Sequence, residues 1–433
     1  MAAALIRGRS RVGADPSRQQ GYGKKKGPRL APATALEGRR SIGDRYMFKG
    51  TASLKLIHNA AVTWVSWSHN NQKAVTASVD KSFAIWDITG DAKALRALKM
   101  REPISHIRNA HDGPVLQAVW RSDDRYIVTC GGDTTVRVWS HVGRKVCCFV
   151  GHLGPALGCA WSPDTRFIAS GDNEGVVMVW DAQSAIDFAA QQRLVRSPAE
   201  MVDVAPRTTN GHTGAITRLV FSPSSDELLT ASQDTSMRGW KIAQSASTKD
   251  GNKPYTMLLH KYIGHTDAVL GCAYNRNARR IASCSHDQTV RIWARQTGVC
   301  LHICEGHRNI VYDCAWFINE LAEEAVVSCD HARRLFVWDG DGGLLAKAKT
   351  PHKGWTLCVA PAHQITPVAK GTVSTEPLRI LTSSGDRRVV YFSPAHNEAT
   401  FDCDEAVAGC KEKLRQRMDP EDGSQPTLCC AVS

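Results

Sequence analysis

Apolar and polar residues alternate with a period of two over many short runs of the chain. Two examples are Thr-Val-Arg-Val-Trp at 135–139 and Thr-Val-Arg-Ile-Trp at 289–293. Such runs, rich in β-branched and aromatic residues, predict short β-strands. Turn-forming stretches separate them, such as Ser-Pro-Asp-Thr at 162–165 and Asn-Arg-Asn at 275–277. The pattern therefore predicts an all-β protein built from many short strands.

One spacing recurs along the chain. A histidine is followed 28 residues later by a tryptophan five times in succession, at His58–Trp86, His111–Trp139, His152–Trp180, His212–Trp240 and His265–Trp293. A hydroxyl residue stands ten positions before each tryptophan, and an acid stands six positions before it, in the order Asp80, Asp133, Glu174, Asp234 and Asp287. A fixed period of this kind means that one supersecondary unit is repeated.

These markers resemble the WD-repeat family over residues 53–394. Gly-His pairs occur at 151–152, 211–212, 264–265 and 306–307, and Trp-Asp pairs occur at 86–87, 180–181 and 338–339. The resemblance implies a β-propeller of four-stranded blades, each holding a hydrogen-bonded tetrad of histidine, hydroxyl, acid and tryptophan. It implies four complete tetrads: His58, Thr76, Asp80 and Trp86; His111, Thr129, Asp133 and Trp139; His212, Thr230, Asp234 and Trp240; and His265, Ser283, Asp287 and Trp293. We expect these residues to be structural, because buried polar groups need partners.

Two further repeats are degenerate. One runs from His307 to Trp338 and has Ala332 at the acid position. The other runs from His352 to Phe392, and its extra length indicates a surface loop around 362–375. Because phenylalanine has no indole N–H to donate, we expect this last blade to be looser. The count is seven, so the predicted fold is an all-β, seven-bladed propeller.

Three segments divide the chain. Residues 1–50 are predicted to be a disordered basic tail, 51–402 the propeller, and 403–433 a helix followed by a flexible tail. The segment Ser53–Ile57 directly precedes the first histidine and is predicted to be a strand. By the resemblance, this strand completes the last blade and closes the ring.

Composition narrows the compartment. No apolar run approaches the ~20 residues that a membrane-spanning helix needs, and no signal peptide is evident. The 15 cysteines are scattered, and Cys159, Cys272 and Cys314 occupy matching strand positions. Matching positions indicate buried small apolar residues rather than a disulfide framework, which favours a reducing compartment, the cytosol or the nucleus.

The formal net charge of +12 is concentrated at the start of the chain. Residues 1–50 carry twelve Lys and Arg against three acids, including the run Lys24–Lys26. Such a tail suits a nuclear import signal, contact with a nucleic-acid backbone, contact with anionic lipid, or simple solvation. The residues alone leave these alternatives open.

The chain ends in Cys430-Ala-Val-Ser, which matches the motif for prenylation, with the final serine favouring a farnesyl group. One farnesyl chain binds membranes weakly, so a second signal is required. Cys429 is a candidate for palmitoylation, and a basic cluster lies on the predicted helix Asp404–Met418, at Lys411, Lys413, Arg415 and Arg417. That helix suits a membrane surface or the flank of the propeller equally well.

No motif predicts catalysis, a cofactor or a metal. The chain contains no phosphate-binding Gly-x-x-x-x-Gly-Lys-Ser/Thr, no His-Glu-x-x-His and no Gly-x-Ser-x-Gly. Cys284 and His286 occupy one turn, and Cys329 to His331 occupy the corresponding turn of the next repeat. Their spacing is not that of a zinc site. We therefore expect a protein that is not an enzyme.

A binding surface remains. Propellers of this family usually bind partners on the face that carries the turns after the histidine and before the acid. Transfer of that rule to this chain predicts partner contacts at Leu116, Leu157, Leu270, Tyr312, Trp355, Leu357, His286 and His331. Aromatic residues such as Tyr312 and Trp355 are typical anchors of interfaces. The alternative is that these residues only plug the entrance of the central channel.

Two functional hypotheses follow. The first is a non-catalytic scaffold, a monomeric propeller within a complex, which binds a protein or peptide and is tethered to a cytoplasmic membrane by farnesylated Cys430. The second is a nuclear scaffold for ribonucleoprotein assembly, whose basic tail contacts RNA. The first requires Cys430, whereas the second requires Lys24–Lys26 and salt-dependent binding.

Overall fold

The computed structural model describes residues 48–89, 102–192, 207–244, 254–318, 323–363 and 379–394. These residues form seven four-stranded antiparallel sheets, and the innermost strand of each sheet contacts the innermost strand of the next. The contacts run through all seven sheets and return to the first, so the sheets close into a ring. The predicted seven-bladed propeller is confirmed.

The blades follow chain order, each built from its innermost strand outwards. The first strand of the chain, β1 (Phe48–Ser53), belongs to blade 7. Blade 1 holds β2 (Val62–Trp67), β3 (Lys73–Ser78), β4 (Phe83–Asp87) and β5 (Ser105–Ile107). Blade 2 holds β6 (Val115–Trp120), β7 (Tyr126–Gly131), β8 (Val136–Ser140) and β9 (Lys145–Phe149). Blade 3 holds β10 (Ala156–Trp161), β11 (Phe167–Asp172), β12 (Val176–Asp181) and β13 (Arg207–Asn210). Blade 4 holds β14 (Ile216–Phe221), β15 (Glu227–Ser232), β16 (Ser236–Gln244) and β17 (Pro254–Ile263).

The remaining blades follow the same plan. Blade 5 holds β18 (Val269–Tyr274), β19 (Arg280–Ser285), β20 (Val290–Ala294) and β21 (Cys300–Cys304). Blade 6 holds β22 (Val311–Ile318), β23 (Glu324–Asp330), β24 (Arg334–Asp339) and β25 (Leu344–Lys349). Blade 7 holds β26 (Thr356–Pro361), β27 (Ile380–Ser384), β28 (Val389–Pro394) and, from the start of the chain, β1 (Phe48–Ser53).

The core lies between blades. Strands such as β11 and β15 are buried along their whole length, because each sheet packs on a neighbour at both faces. One inter-blade cluster joins Phe83 and Ile85 of blade 1 to Val115, Trp120 and Trp139 of blade 2. Burial of this apolar surface, at about 25 cal/mol per Å², is what holds the blades together.

The ring is closed by the start of the chain, but not by the segment expected. The strand that pairs with β28 is Phe48–Ser53, whereas the prediction placed it at Ser53–Ile57. Leu54 donates its backbone N–H to Val389 at 3.0 Å, and its side chain is buried among residues of blades 1 and 7. The chain therefore leaves the sheet at Leu54 to cross towards blade 1, and the predicted position was wrong by a few residues.

The Gly-His pairs have a steric explanation. A Cβ at Gly211 would lie 2.4 Å from Cη2 of Trp240, and a Cβ at Gly264 would lie 3.0 Å from Cη2 of Trp293. The tryptophan at the end of the third strand thus packs against the backbone directly before the histidine. In these two blades glycine leaves room for this approach.

Long connections concentrate on one face. We call the face with the histidine and acid turns the upper face, and the opposite face the lower face. The strands that flank the intervals 88–104, 182–206, 245–253, 319–323 and 362–379 have their ends on the lower face. The connection at 182–206 begins with an 11-residue helix, α1 (Ala182–Gln192), which packs against β9. In repeat proteins, insertions that share one face often mark a binding face.

Asp181 caps α1 and thereby determines where it begins. The backbone N–H of Ser184 donates to Asp181 Oδ1 at 3.0 Å. Ala185, Ile186 and Ala189 are buried against blades 2 and 3, whereas Phe188 is 43% exposed. No helix in the part of the chain described here is long and apolar enough to cross a bilayer.

Candidate functional site

The predicted tetrads are hydrogen-bonded networks inside the blades. In blade 2, the hydroxyl of Thr129 lies 2.7 Å from Nε2 of His111 and accepts the indole N–H of Trp139 at 2.8 Å. The other imidazole nitrogen of His111 lies 2.9 Å from Asp133 Oδ1. The same contacts, within 2.7 to 2.9 Å, join the predicted residues of blade 4 (His212, Thr230, Asp234, Trp240) and blade 5 (His265, Ser283, Asp287, Trp293).

Blade 1 inserts a serine into this network. His58 Nε2 lies 2.9 Å from the hydroxyl of Thr76, which also accepts the indole N–H of Trp86 at 3.0 Å. Nδ1 of His58 lies 2.9 Å from Ser82 Oγ and 3.4 Å from Asp80. Ser82 in turn donates its hydroxyl to Asp80 at 2.5 Å, so the acid acts mainly through the serine.

In blades 3 and 6 the acid is not the residue that the spacing indicated. His152 Nδ1 contacts Asp172 at 2.9 Å, and His307 Nδ1 contacts Asp330 at 3.0 Å. Assignment of the acid position to Glu174 and Ala332 was therefore wrong. A carboxylate at the end of the second strand of a blade can contact the imidazole, just as a carboxylate in the turn after that strand can. Six of the seven blades consequently hold a complete tetrad.

A sequence signal for this shift was present. Asp172 and Asp330 stand eight residues before the terminal tryptophan, where blades 1, 4 and 5 have serine and blade 2 has glycine. The seventh blade keeps three members, since His352 contacts Thr382 at 2.8 Å and Asp386 at 3.3 Å. Phe392 is fully buried at the tryptophan position, and Thr382 receives no indole N–H.

The electrostatics suit structural roles. Burial lowers the pKa of His111, His212 and His265, although each aspartate partner opposes the shift. Burial alone would raise the pKa of Asp133, but the hydrogen bonds from His111, Thr135 and the Asp112 backbone hold it well below its usual range. The pairs are therefore neutral imidazole and ionised carboxylate at neutral pH.

The predicted partner residues of the inner strands line the upper entrance of the channel. Leu116, Leu157 and Leu357 are half-buried there, and Leu270 is buried. These leucines occupy the same position of β6, β10, β26 and β18, so they form parts of one ring. All four are less exposed than Trp355.

Three other predicted residues form an aromatic stack across blades 6 and 7. The hydroxyl of Tyr312 lies 3.0 Å from His331 Nδ1, and the two rings are stacked with centroids 5.8 Å apart. The other neighbour of His331 is the Trp355 ring, at 4.4 Å and 28°. Trp355 is 40% exposed, so the stack ends in a large aromatic surface on the upper face. We call Tyr312, His331 and Trp355 the upper aromatic stack.

His286 lies in blade 5, and its Nδ1 is 3.9 Å from Asp267. Burial lowers the pKa of His331, and the nearby His286 lowers it further, against the opposite effect of Asp330. The central ring of the stack is therefore neutral at neutral pH, which permits close packing between aromatic faces. Cys284 and Cys329, considered above as metal ligands, are fully buried.

The predicted lipidation residues Cys429 and Cys430 lie outside the described residues. The same holds for Lys24–Lys26, for the predicted helix Asp404–Met418 with its basic cluster, and for most of the predicted loop at 362–375.

Seven antiparallel sheets with a repeated histidine network define a propeller built from tandem repeats. The family described as "WD domain, G-beta repeat" matches residues 52–87, 102–140, 143–181, 205–241, 256–294 and 298–339. These segments make up more than half of the chain, which therefore belongs to the WD-repeat family. The matched segments end before blade 7, the blade that lacks a terminal tryptophan.

Individual relatives are similar over shorter stretches. The chain is 29% identical to telomerase protein component 1 of Mus musculus over 170 residues, which are 39% of this chain and 5% of the relative. It is 33% identical to striatin-4 of Homo sapiens over 105 residues, 24% of this chain and 14% of the relative. It is 23% identical to transducin beta-like protein 3 of Homo sapiens over 310 residues, 71% of this chain and 35% of the relative. The similarity thus spans a minor part of each relative's length.

Proposed function

We propose that the protein is a non-catalytic scaffold that binds a protein or peptide partner at the upper aromatic stack. WD-repeat propellers are in general scaffolds of this kind, and the chain belongs to that family. The observation that carries the proposal is the exposure of Trp355. A large aromatic ring, held rigidly on His331, is the kind of residue that anchors interfaces.

The stack is organised for binding before a partner arrives. Tyr312 fixes His331 by a hydrogen bond, and His331 supports Trp355 from beneath. Such preorganisation reduces the entropy that a side chain loses when it contacts a partner. The half-buried Leu357 stands two residues after Trp355 in the chain and is a further predicted partner residue.

Selection of peptides from a random display library, followed by titration of the selected peptides, tests the partner site. We expect Trp355→Ala to weaken their binding by about tenfold or more, equivalent to ~1.4 kcal/mol. Phe188→Ala is the matched control, because Phe188 is an aromatic of similar exposure on α1. Equal binding by wild type and Trp355→Ala would show that the partner site lies elsewhere.

The second part of the proposal is a membrane tether through farnesylated Cys430. It is supported by the terminal Cys-Ala-Val-Ser, by the adjacent Cys429 and by the basic residues at 411–417. Intact mass of the protein from a eukaryotic cell tests it. We expect the mass of one farnesyl group with loss of the last three residues, and no such change in Cys430→Ser. An unmodified C-terminus would rule out the tether and leave the partner site untouched.

A further inference from the structure

Cations flank the upper aromatic stack in the turns of blades 6 and 7. Arg333 is half-buried, and five others are exposed, namely Arg308, Arg334, Lys353, Arg387 and Arg388. None of the six forms a salt bridge with a residue that the structure describes. In blades 2 and 4, by contrast, Arg137 and Arg238 pair with the aspartates of their tetrads, at 2.9 and 3.8 Å. We call the six residues the upper cationic cluster.

The cluster occupies three positions of the repeat, and each position holds a cation in both blades. The positions are the residue after the histidine (Arg308, Lys353) and the residues five (Arg333, Arg387) and four (Arg334, Arg388) before the terminal aromatic. The same positions hold no cation in blades 2 to 5, and only Lys81 in blade 1. The positive charge of these turns is therefore concentrated beside the stack.

Hydrogen bonds hold these turns against the stack. The carbonyl of Trp355 accepts the backbone N–H of Gly385 at 3.0 Å, which places the turn that carries Arg387 beside Trp355. In the neighbouring turn, Nη1 of Arg333 donates to the backbone carbonyl of His352 at 3.2 Å. The aromatic surface and the cations therefore belong to one continuous part of the upper face.

Two of the three acids in the same turns belong to the blade networks. Asp330 accepts the backbone N–H of Arg334 at 2.9 Å, and Asp386 accepts the backbone N–H of Lys353 at 2.7 Å. Each also contacts its tetrad histidine, as described above. Glu305 is exposed, and it is the third acid of these described turns. Six cations thus lie beside one exposed carboxylate, so this part of the upper face is positive.

An aromatic surface between guanidinium groups suits a short acidic segment. Guanidinium groups bind carboxylates through paired, charge-assisted hydrogen bonds, and exposed cations steer an acidic partner before contact. Trp355 supplies the apolar anchor. Elsewhere the upper face carries exposed acids, namely Asp112, Glu174 and Asp267 in blades 2, 3 and 5. A long polyanion such as a nucleic acid would extend towards these like charges, whereas a short peptide remains on blades 6 and 7.

We propose that the partner bound at the upper aromatic stack is an acidic peptide segment. One apolar or aromatic side chain of the segment packs on Trp355, and the carboxylates on either side of it pair with the upper cationic cluster. This inference rests on the proposed partner site and adds the chemical class of the partner. It does not depend on the membrane tether.

The composition of selected peptides tests the partner class. A random display library is selected on the full chain at an ionic strength of about 0.15 M, and peptides that bind Trp355→Ala equally well are discarded. We expect Asp and Glu to be enriched about twofold or more in the remaining peptides. If no peptide depends on Trp355, the proposed partner site is wrong and this inference fails with it. Peptides that depend on Trp355 but show no enrichment in acids would overturn this inference alone.

A turn from another blade provides a variant that keeps the backbone. Arg387→Gln together with Arg388→Thr converts the turn of blade 7 into the Asp-Gln-Thr-Val turn of blade 5 at 287–290. Gln288 has a φ of 68° and Arg387 a φ of 70°, so glutamine is compatible with this backbone. We expect the double variant to bind the selected acidic peptides about tenfold more weakly. Unchanged affinity would overturn the role of the cluster.

The matched control removes two cations from the lower face. Arg276→Gln together with Arg279→Gln changes two exposed residues in the turn between β18 and β19, and we expect its affinity for the peptides to equal that of the wild type. Equal losses in the two double variants would mean that affinity follows net charge rather than this surface, and would overturn the proposal. Thermal unfolding of both variants checks that they are folded.

Two further probes identify the anionic group. Replacement of Asp and Glu in the peptides by Asn and Gln should weaken binding to the wild type about tenfold, with a smaller effect in the blade 7 variant. An oligothymidylate of about 20 nucleotides, at the same concentration as the peptide, should not displace it. Displacement that is lost in the blade 7 variant would make a nucleic acid the ligand of the cluster and overturn the proposal.

Discussion

Asp172 lies 2.9 Å from Nδ1 of His152, although it stands two residues before the position that holds the acid in five other blades. Its carboxylate also accepts the backbone N–H groups of Glu174 and Val176, at 3.0 and 2.9 Å. One buried side chain thus replaces the usual turn aspartate and holds both the histidine and the turn after β11. Asp330 does the same in blade 6.

This relationship predicts opposite outcomes for two neighbouring acids. We expect Asp172→Ala to lower the free energy of unfolding by about 1–3 kcal/mol, because it leaves buried donors unpaired. Glu174→Ala is the control, since Glu174 is exposed, and we expect its cost to stay within about 0.5 kcal/mol. Urea unfolding followed by tryptophan fluorescence measures both. A larger loss of stability in Glu174→Ala than in Asp172→Ala would mean that Glu174 is the acid of this tetrad, as the spacing predicted.

A buried carboxylate between blades 4 and 5 leads to the second prediction. Glu227 is 2% exposed, accepts the hydroxyl of Tyr274 at 2.9 Å and accepts Nε of Arg295 at 2.5 Å. We expect Glu227→Gln to lower the free energy of unfolding by about 3 kcal/mol, because it leaves a partly buried cation without its partner. The neighbouring Asp226, 56% exposed on its side chain, lies 3.6 Å from the same arginine.

Asp226→Asn is the matched control for this pair. An exposed ion pair contributes little, so we expect a cost below about 1 kcal/mol. Thermal and urea unfolding measure the loss of stability in Glu227→Gln and in Asp226→Asn. If both substitutions cost the same, the contact between the blades does not depend on Glu227.

The repeat markers predicted the blade count and most of the tetrads because each tetrad lies within one repeat. Its members are separated by short strands of nearly constant length, so spacing in sequence reports distance in space. The same reasoning failed for Asp172, because a carboxylate can reach an imidazole from two places along the chain. Spacing in sequence identifies the acid only when it stands at the same position in every blade.

Contacts between repeats were not predictable in this way. Arg218 meets Trp64 across the channel, and Glu227 meets Arg295 of the next blade. These pairs depend on how the ring closes and on which positions face its axis. The repeat pattern contains no information about a residue that occurs in one blade only, so the contact between Arg218 and Trp64 was missed. The sequence named Tyr312 and Trp355 because they follow the blade histidines at fixed intervals, and His331 because it precedes the acid position. It did not predict that the three rings stack.

The third prediction concerns closure of the ring. β1 supplies the outermost strand of blade 7, from the pair Phe48 and Pro394 to the pair Ser53 and Val390. Deletion of residues 1–53 leaves β28 as an unpaired edge, which promotes association with other chains. We expect a loss of about 2–5 kcal/mol, from a few strand hydrogen bonds at ~0.5–1.5 kcal/mol each.

Deletion of residues 1–46 is the control, since it keeps all of β1. Unfolding midpoints and light scattering at 37 °C compare the two truncated chains. We expect aggregation only in the chain that lacks residues 1–53. Similar stability of both truncated chains would mean that β1 is dispensable for closure.

The fourth prediction is that stability falls as the solution becomes acidic. Burial lowers the pKa of His111, His212, His265 and His307 below the ordinary value of 6.5. The unfolded chain therefore takes up these protons at a higher pH than the folded chain. Because the unfolded state then binds more protons, the free energy of unfolding decreases as the pH falls below about 6.5.

The tetrad aspartates act in the same direction at lower pH. Burial would raise the pKa of Asp133, Asp234 and Asp287, but the hydrogen bonds from their histidines and turns hold it below 3.8. Their contribution is complete above the unfolded value near 3.8 and is lost as the pH falls through the folded values. Burial raises the pKa of Asp313. This one group therefore has the opposite effect on stability as the pH falls.

Urea midpoints at pH 7.5, 6.0, 5.0 and 4.0, at constant ionic strength, measure the effect. We expect the midpoint to decrease steadily from pH 6 downwards and most steeply around pH 4. In a His111→Gln variant, one buried imidazole is removed, so the decrease between pH 6.5 and 5 should be smaller than in the wild type. A midpoint that stays constant between pH 7.5 and 5.0 would contradict neutral, buried histidines in the blades.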